Sequence, residues 1–351
     1  MKIAFVVMGY LPNDRGGVPI YIDKLRREIL QKNIKSIVLC EKRTTNDVSD
    51  TDSGVYYINN PLINLIPPFR QFGFLLGLLL SFNIIFREKP THFHGHTSFY
   101  GGYQSILLGL IYKKPIIVTC HGIDKQGRLY FLYKKADCII YQIESTYKNL
   151  LSYKLPRSKL IEVPNCIDIS ELDLFSQSSN FIYLARFDDM KNPHLVLETA
   201  RLSKKLQLQV KFTLIGEGRL FDEIKIHSTN NMVLTGKLSK VEDYLKIVRP
   251  MGYLAVSKIE NYSSTSLLEM INYGIPVIAT NVGETTKLIT NENGFVCDLT
   301  PESVVEQIQL ILKHPDIAKS KANKLKQIIV NQYSMTTMIY KHVQIYSILS
   351  T

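Results

Sequence analysis

Short apolar segments alternate with longer helix-forming segments along almost the whole chain. Seven apolar segments lie in the first half and six in the second, and they are rich in Val, Ile and aromatic residues. Short runs of this composition predict β-strands, and strands that alternate with helices predict a parallel sheet covered on both faces. The predicted strands are residues 2–7, 35–40, 55–59, 91–96, 115–120, 138–142, 160–164, 181–186, 210–216, 232–236, 252–257, 276–280 and 294–298.

This alternation occurs twice, which predicts an α/β protein with two doubly wound domains. A chain of 351 residues is also too long for one ordinary core. Apolar periodicity lapses in PNCIDISELDLFSQSSN, residues 164–180, where Ser, Asn and Asp become frequent. We therefore expect an N-terminal domain at residues 1–168, a C-terminal domain at 169–333 and a closing helix at 334–351.

One helix-forming segment, FGFLLGLLLSFNIIF (residues 72–86), contains no charged residue and lies between Arg70 and Arg87. It is shorter than the ~20 residues that a membrane-spanning helix needs. Two interpretations remain open. The segment is either a buried core helix or a helix whose apolar side dips into a membrane face while basic residues meet the headgroups.

Charge is distributed unevenly along the chain. The net charge is +11: residues 1–170 contain 22 Lys and Arg against 13 Asp and Glu (+9), and residues 171–351 contain 20 against 18 (+2). A basic first half indicates an anionic partner, such as lipid headgroups or a phosphorylated acceptor. Nucleic acid is not favoured because no motif for binding it is visible. The five cysteines form no CxxC pair and indicate isolated thiols rather than disulfides or a zinc site.

Residues that directly follow strands are the first candidates for a site, because ligands of open parallel sheets bind at the carboxyl ends of the strands. Arg186 ends one predicted strand, and Lys191 lies in the next loop. These two cations either clamp a diphosphate or are solvated surface residues. Gly216 and Gly218 flank Glu217 after another strand, a spacing that suits a phosphate-binding loop and equally a plain tight turn.

The segment SSTSLLE, residues 263–269, predicts the start of a helix. Ser263, Ser264 and Thr265 are good N-cap residues, and the helix N-terminus would offer backbone N–H groups to phosphate oxygens. Glu269, one turn into the helix, would accept hydrogen bonds from vicinal hydroxyls such as those of a ribose. The alternative is an ordinary capped helix with a carboxylate near its positive end.

Several segments, taken in order, resemble the C-terminal half of the retaining GT-B glycosyltransferases of family 4 (group 1). They are VPNCID, LARFDDMKNP, LIGEG, TGKLS, SKIENYSSTSLLEMINYGIPVIATNVG and NENGFVCD. The first half resembles the same family more loosely, through GGV, HFHGH and VTCHGID. The resemblance covers nearly the whole chain. It implies two Rossmann-like domains facing a central cleft, with the last helix crossing back onto the first domain.

The resemblance also implies roles for individual residues. Arg186 and Lys191 match the basic pair that binds the donor diphosphate, and Glu269 matches the glutamate that holds the nucleotide ribose. The other matches are Gly216 in the LIGEG turn, Ser264, Thr265 and Ser266 at the phosphates, Gly16 and Gly17 in the loop that admits the donor phosphate, and His121 beside the transferred sugar.

Three places depart from the family pattern. The glutamate that touches the donor sugar should lie eight residues before Glu269, where this chain has Asn261, and Glu260 lies nine residues before it. Either the loop has one extra residue and Glu260 acts, or Asn261 replaces the carboxylate. The other departures are Cys166 where a Gly is common, and Glu284 and Lys287 where the family has a Gly pair followed by Glu.

His92, His94 and His96 alternate along a predicted strand, so their side chains share one face. A metal site is one interpretation of such a set. However, few carboxylates are nearby, and the family that the chain resembles needs no metal. We favour a strand-end cluster in which His94 or His96 contacts substrate.

The protein expected from these features is a retaining, metal-independent glycosyltransferase without a cofactor. Its donor would be a nucleotide-diphosphate sugar, and its acceptor a saccharide that is lipid-linked, as in polysaccharide or O-antigen biosynthesis. We expect a cytoplasmic location with peripheral contact to the anionic inner face of the plasma membrane, and no nucleic-acid partner. The alternatives are a GT-B sugar-nucleotide 2-epimerase and a non-catalytic GT-B partner protein.

Overall fold

The computed structural model describes residues 1–12, 14, 17–42, 48–61, 70–96, 100–121, 130–259 and 261–350, with residues 70–74 described by their backbone alone. The chain divides into two compact units. The first comprises Met1–Pro164 together with Met338–Thr351, and the second comprises Asn165–Thr337. The chain thus enters the second unit a few residues before the position expected from the sequence, and its last residues belong to the first unit.

A seven-stranded sheet forms the centre of the first unit. The strands are β1 (Lys2–Val7), β2 (Lys35–Glu41), β3 (Val55–Ile58), β4 (His92–His96), β5 (Ile116–Cys120), β6 (Cys138–Tyr141) and β7 (Leu160–Glu162). They pair in the order β3-β2-β1-β4-β5-β6-β7, and every pair is parallel. The helices described between these strands are α1 (Gly17–Gln31), α2 (Arg70–Glu88), α3 (Gly102–Tyr112) and α4 (Glu144–Ser152).

A six-stranded parallel sheet forms the centre of the second unit. Its strands are β8 (Asn180–Leu184), β9 (Lys211–Ile215), β10 (Met232–Gly236), β11 (Gly252–Ala255), β12 (Val277–Thr280) and β13 (Phe295–Cys297), in the order β10-β9-β8-β11-β12-β13. The helices are α5 (Pro193–Lys205), α6 (Phe221–Ile226), α7 (Val241–Val248), α8 (Thr265–Asn272), α9 (Pro301–Lys313) and α10 (Pro315–Gln332). The last helix of the chain, α11 (Met335–Ile348), begins in this unit and continues into the first.

All thirteen predicted strands are present, and their ends lie within two residues of the prediction. The largest consequence is at β8, which ends at Leu184, so that Arg186 lies in the following loop rather than in the strand. Tyr183 accounts for the turn. Its buried hydroxyl donates to the carbonyl oxygens of Arg186 (3.3 Å) and Lys191 (3.1 Å), which folds the loop back over the strand end.

Each sheet reverses its strand order at one place. In the first unit the reversal lies between β1 and β4, and in the second between β8 and β11. The loops that leave the carboxyl ends of two such strands run in opposite directions and leave a crevice between them. Arg186 follows β8, Ser257 follows β11 and His96 ends β4, so residues with polar side chains lie at both of these places.

Helix α2 contains the uncharged segment and is apolar on two faces. Leu78 and Ile85 are buried in the first unit, as expected of a core helix. Leu75, Leu79 and Phe86 are 51%, 59% and 77% exposed, so the core interpretation describes only one side of the helix. Among the residues that the structure describes, no helix is long and apolar enough to cross a membrane.

Candidate functional site

The loop after β8 contains the predicted basic pair. The side chain of Arg186 is 80% exposed, and its Nη2 lies 3.2 Å from Oδ2 of Asp188. The backbone N–H of Lys191 donates to Oδ1 of the same carboxylate at 2.9 Å. Asp188 therefore orders the loop from within, while most of the guanidinium stays accessible to an anionic ligand.

Lys191 connects the two sides of the strand-order reversal. Its Nζ donates to Oγ of Ser257 at 3.4 Å, and Ser257 is a buried residue just after β11. A cation from the loop after β8 thus lies beside a hydroxyl from the loop after β11. This is the place in a doubly wound sheet where a ligand is expected.

Gly216 lies in the turn after β9 at a position that requires glycine. Its φ is +135°, and a Cβ there would collide with the carbonyl oxygen of Ala185. The backbone N–H of Phe187 also donates to the carbonyl of Glu217 at 2.9 Å. The glycine turn therefore packs closely against the loop that carries Arg186 and supports it.

Helix α8 begins at Thr265, and Ser264 is its N-cap. Oγ of Ser264 accepts from the backbone N–H of Leu267 at 3.4 Å, which confirms the cap predicted from the sequence. Within the described part of the chain, the backbone N–H groups of Thr265 and Ser266 donate to no protein acceptor. Two donors at the positive end of the helix dipole are therefore available to an anion.

A narrow cavity of about 10 Å³, room for about one water molecule, lies between the loops and the helix N-terminus. Lys191, Ser257, Ser264 and Ser266 contribute to its lining, together with the phenol of Tyr253. The Tyr253 hydroxyl donates to the carbonyl oxygen of Leu184 at 3.2 Å and lies 3.3 Å from Oγ of Ser266, and burial raises its pKa to about 12, so it stays neutral. The structure thus brings together three residues that the sequence assigned to diphosphate binding: Lys191, Ser264 and Ser266.

Asn261 is buried in the lining of this cavity, and its side-chain amide is hydrogen-bonded to the protein on both sides. Its Nδ2 donates to the carbonyl oxygen (3.1 Å) and hydroxyl (3.1 Å) of Thr280 and to the Thr285 hydroxyl (3.3 Å). Its Oδ1 accepts from the backbone N–H of Ser257 at 3.3 Å. An amide engaged on both sides in this way anchors the loop. The alternative acid, Glu260, lies outside the described residues.

Ser263, two residues after Asn261, has a strained backbone conformation. Ser263 has φ of +48°, a left-handed conformation that non-glycine residues rarely adopt. The side-chain amide of Asn165 holds it by donating to the Ser263 carbonyl at 3.0 Å. Such strain is typical of positions that the surrounding structure fixes for a purpose, here the entry into α8.

Glu269 lies half-buried on the second turn of α8 and lines a different, larger cavity. This cavity has a volume of about 490 Å³, and its lining also includes Ser239, Lys240, Glu242 and Tyr273. The Tyr273 hydroxyl donates to Oε2 of Glu242 at 3.0 Å. The volume is within the range of small-ligand pockets.

Two predicted residues of the first unit are described by the structure. Gly17 is the first residue of α1, and no described atom lies within 4 Å of the place where its Cβ would be. His121 directly follows β5; its Nε2 lies 2.9 Å from Nδ1 of His96, and Tyr21 packs edge-on against its ring. Gly16 lies outside the described residues.

The three alternating histidines have different partners. The Nε2 of His92 lies 3.1 Å from the carbonyl oxygen of Tyr346. In His94, which is completely buried, Nδ1 lies 2.8 Å from the Tyr346 hydroxyl and Nε2 lies 2.7 Å from Oγ1 of Thr119. Because both ring nitrogens are engaged, the expectation that His94 contacts substrate is wrong, and His96 contacts His121 instead. Among the described residues, no group of three His, Cys, Asp or Glu could hold a metal ion.

The sequence analysis did not select some residues that line the candidate site. Ser257 follows a strand and was within reach of the same rule that selected Arg186. Tyr273, four residues after Glu269, was within reach of the helical i, i+4 spacing. The contact between His96 and His121 depends on the pairing of β4 with β5, which places His96 opposite Thr119. No local pattern predicts that pairing.

Comparison with known domain families assigns each half of the chain. Residues 168–332 match the model described as "Glycosyl transferases group 1", and residues 15–171 match "Glycosyltransferase Family 4". Together the two matches extend from residue 15 to residue 332. They contain the loop of Arg186, helix α8 and the strand end at His121.

Individual relatives agree with this assignment. An α-1,4-N-acetyl-D-galactosaminyltransferase of Campylobacter jejuni, named for a GalNAc-GalNAc-diNAcBac-PP-undecaprenol acceptor, is 23% identical over 164 residues, which cover 46% of each chain. The match thus spans about half of that relative. A glycosyltransferase from Rickettsia africae superposes with a TM-score of 0.80 at 17% identity, covering 99% of this chain and 98% of that one. Anabaena Alr3699/HepE, solved with UDP and glucose, gives 0.74 at 14% identity, covering 99% of both chains.

Replacing Asn261 by Ala tests its structural role. The change leaves the buried Ser257 N–H without its acceptor and removes the bonds to Thr280 and Thr285, so we expect the free energy of unfolding to fall by about 1–3 kcal/mol. Urea denaturation measures this change. The exposed Asn230→Ala is the matched control, with an expected effect below about 0.5 kcal/mol. Equal, small effects for both variants would contradict the anchoring role.

Proposed function

The chain belongs to the GT-B glycosyltransferases, and we propose that it transfers a sugar from a nucleotide-diphosphate donor to a saccharide acceptor with retention of the anomeric configuration. The observation that carries the proposal is the arrangement around α8. Lys191, Ser257 and the helix N-terminus border one cavity, and Glu269 borders a second, larger one. In a nucleotide-diphosphate sugar the diphosphate is attached to the nucleoside. The two binding places along α8 would therefore take neighbouring parts of one donor molecule.

The diphosphate is bound by positive charge and backbone donors. Lys191 and the exposed guanidinium of Arg186 supply two cations beside the N–H groups of Thr265 and Ser266. This set offsets the negative charge that develops on the leaving nucleotide, and groups fixed before the reaction do so without reorganisation. We therefore propose that transfer needs neither a metal ion nor a cofactor.

The nucleoside binds in the larger cavity. The Glu269 carboxylate accepts hydrogen bonds from the two ribose hydroxyls, and the base lies toward Lys240 and Tyr273. The solved UDP complex of HepE supports a nucleoside diphosphate as the ligand class. The donor-sugar acid is Glu260, because the amide of Asn261 is committed to Thr280, Thr285 and Ser257.

Nucleotide binding is tested by thermal unfolding of the purified protein with UDP, GDP, ADP and their sugar derivatives. At a hundred times the dissociation constant, binding stabilises the folded state by ~2.7 kcal/mol, which raises the unfolding temperature measurably. We expect one nucleotide family to stabilise the parent. Glu269→Ala and Arg186→Ala should lose most of the shift, because each removes a charged hydrogen-bonding partner.

Arg201→Ala is the control for this experiment. Arg201 is a surface cation of the same unit that pairs with Glu198 on α5, away from the candidate site. It should bind nucleotide as the parent does. No shift with any nucleotide, or the same loss in Arg201→Ala as in Arg186→Ala, would contradict the proposed donor site.

The acceptor binds to the basic first unit. The undecaprenol-diphosphate acceptor in the name of the Campylobacter relative supports a lipid-linked saccharide, as in surface-polysaccharide assembly. The exposed Leu75, Leu79 and Phe86 of α2 supply an apolar surface, and Arg87 next to them is 61% exposed. Apolar side chains beside basic ones are suited to the anionic inner face of a membrane.

Membrane contact is tested by sedimentation with vesicles. We expect the protein to sediment with vesicles that contain an anionic lipid and to be released by high salt, because charge attraction is screened. Leu79→Ser combined with Phe86→Ser should weaken binding. The double change Ile226→Ser and Ile247→Ser, at exposed apolar residues of the second unit, is the matched control. Equal sedimentation of all three proteins would contradict a membrane role for α2.

Turnover distinguishes transfer from the alternative chemistries. We expect free nucleoside diphosphate to appear only when donor and saccharide acceptor are both present, and the rate to stay within about twofold in excess EDTA. NMR of the product should give the same anomeric configuration as the donor. Epimerisation of the donor without acceptor, strict dependence on a metal, or an inverted product would each contradict a part of the proposal.

A further inference from the structure

His96, which is buried, and His121, which is half-buried, form a pair at the carboxyl ends of β4 and β5. Their Nδ1 and Nε2 atoms are 2.9 Å apart, and the ring centroids are 5.2 Å apart with planes 24° from parallel, so the two rings meet edge to edge. A neutral imidazole has one N–H and one lone pair. One ring of the pair must therefore donate and the other accept, and the direction decides which nitrogen of His121 carries its proton.

The other nitrogen of His96 settles this direction. The ring is completely buried, and its Nε2 has no hydrogen-bond partner within the described part of the chain. A buried N–H without an acceptor is rarer and costlier than an acceptor without a donor. The unpartnered Nε2 therefore carries the lone pair, and the proton of His96 is on Nδ1, facing His121.

We propose that His96 is a positioning residue that donates its Nδ1–H to Nε2 of His121 and thereby holds His121 in the tautomer with its proton on Nδ1. A hydrogen bond at one ring nitrogen fixes the proton on the other. His121 then presents a hydrogen-bond donor rather than an acceptor on the side away from His96.

The surroundings of His96 hold it neutral and in place. Phe5 and His94 pack against its ring at centroid distances of 5.6 and 4.3 Å, and Tyr21 lies at 5.9 Å. Burial lowers the pKa of His96 well below its usual value, and the nearby His94, His121 and His342 lower it further. His96 therefore does not become a double donor near neutral pH.

The strand that carries His96 is itself fixed from α11. The Tyr346 hydroxyl lies 2.8 Å from Nδ1 of His94, whose Nε2 lies 2.7 Å from Oγ1 of Thr119. Nε2 of His342, on the same helix, lies 3.3 Å from the Tyr21 hydroxyl. The last helix thus fixes the layer of rings against which the pair packs, which is a physical reason for its place in the first unit.

The functional consequence rests on the proposed transferase activity. A donor N–H on His121 is suited to a lone pair of a sugar hydroxyl oxygen, and it orients that sugar without taking a proton from it. The opposite tautomer would turn an acceptor toward the same oxygen and lose this bond. The role of His96 is therefore to select the correct tautomer before the sugar arrives.

Nitrogen-15 NMR of histidine-labelled protein without substrate reads the tautomer directly, and His121→Gln identifies the His121 signals. In the parent, we expect His121 to be protonated at Nδ1 and bare at Nε2, with His96 also protonated at Nδ1. A proton on Nε2 of His121 in the parent would overturn the inference. Because no substrate is present, this result does not depend on the proposed function.

Two variants connect the tautomer to activity. His96→Asn keeps an amide N–H close to the position of Nδ1, so the His121 tautomer and most of the turnover should remain. His96→Leu removes the donor; His121 should gain the Nε2–H tautomer, and kcat should fall roughly tenfold, as for the loss of one hydrogen bond, with little change in the KM for acceptor. Unchanged nucleotide-induced stabilisation shows that the second unit is intact.

Each outcome has one meaning. If His96→Leu changes neither tautomer nor kcat, or if His96→Asn loses as much as His96→Leu, then His96 does not position His121. If His96→Leu does not fold, the spectrum of the parent and the turnover of His96→Asn still show whether His96 positions His121. The expected tautomers without any sugar transfer by the parent would contradict the proposed function while leaving the role of His96 intact.

Discussion

Parallel pairing of β8 with β9 on one side and β11 on the other is the constraint on which the candidate donor site depends. It directs the ends of three strands to one edge of the sheet and reverses the strand order between β8 and β11. Strand pairing therefore brings three parts of the chain to one edge of the sheet: the loop of Arg186, the turn of Gly216 and Ser257. The helix that follows Ser257 then directs its N-terminus at the same place.

Buried polar side chains convert this edge into a defined shape. Tyr183 folds the loop after β8, Tyr253 connects to Ser266 at the start of α8, and Asn261 holds the strand-to-helix connection. Each of them contacts the polypeptide, while the guanidinium of Arg186 and the backbone N–H groups of Thr265 and Ser266 stay accessible. In the first unit, His94 has the same relation to His96. Both ring nitrogens of His94 are bonded to the protein, and its fixed ring packs against the ring of His96.

The sequence was sufficient for what depends on local pattern. Apolar periodicity located every strand, the serine cluster located the start of α8, and the strand-end rule located Arg186. It was insufficient where pairing or burial decides. The sequence does not show that Thr280, Thr285 and the backbone of Ser257 hold the side-chain amide of Asn261. The choice between His94 and His96 as the substrate contact stayed open because the partners of His94, Tyr346 and Thr119, are far from it in sequence.

A crystal structure of the protein with the nucleoside diphosphate that it binds is the most direct measurement of the central claim. The account predicts that the phosphate oxygens lie within hydrogen-bond distance of Arg186, Lys191 and the backbone N–H groups of Thr265 and Ser266, with both ribose hydroxyls on Glu269. A nucleotide bound elsewhere on the chain, or with its ribose away from Glu269, would contradict it.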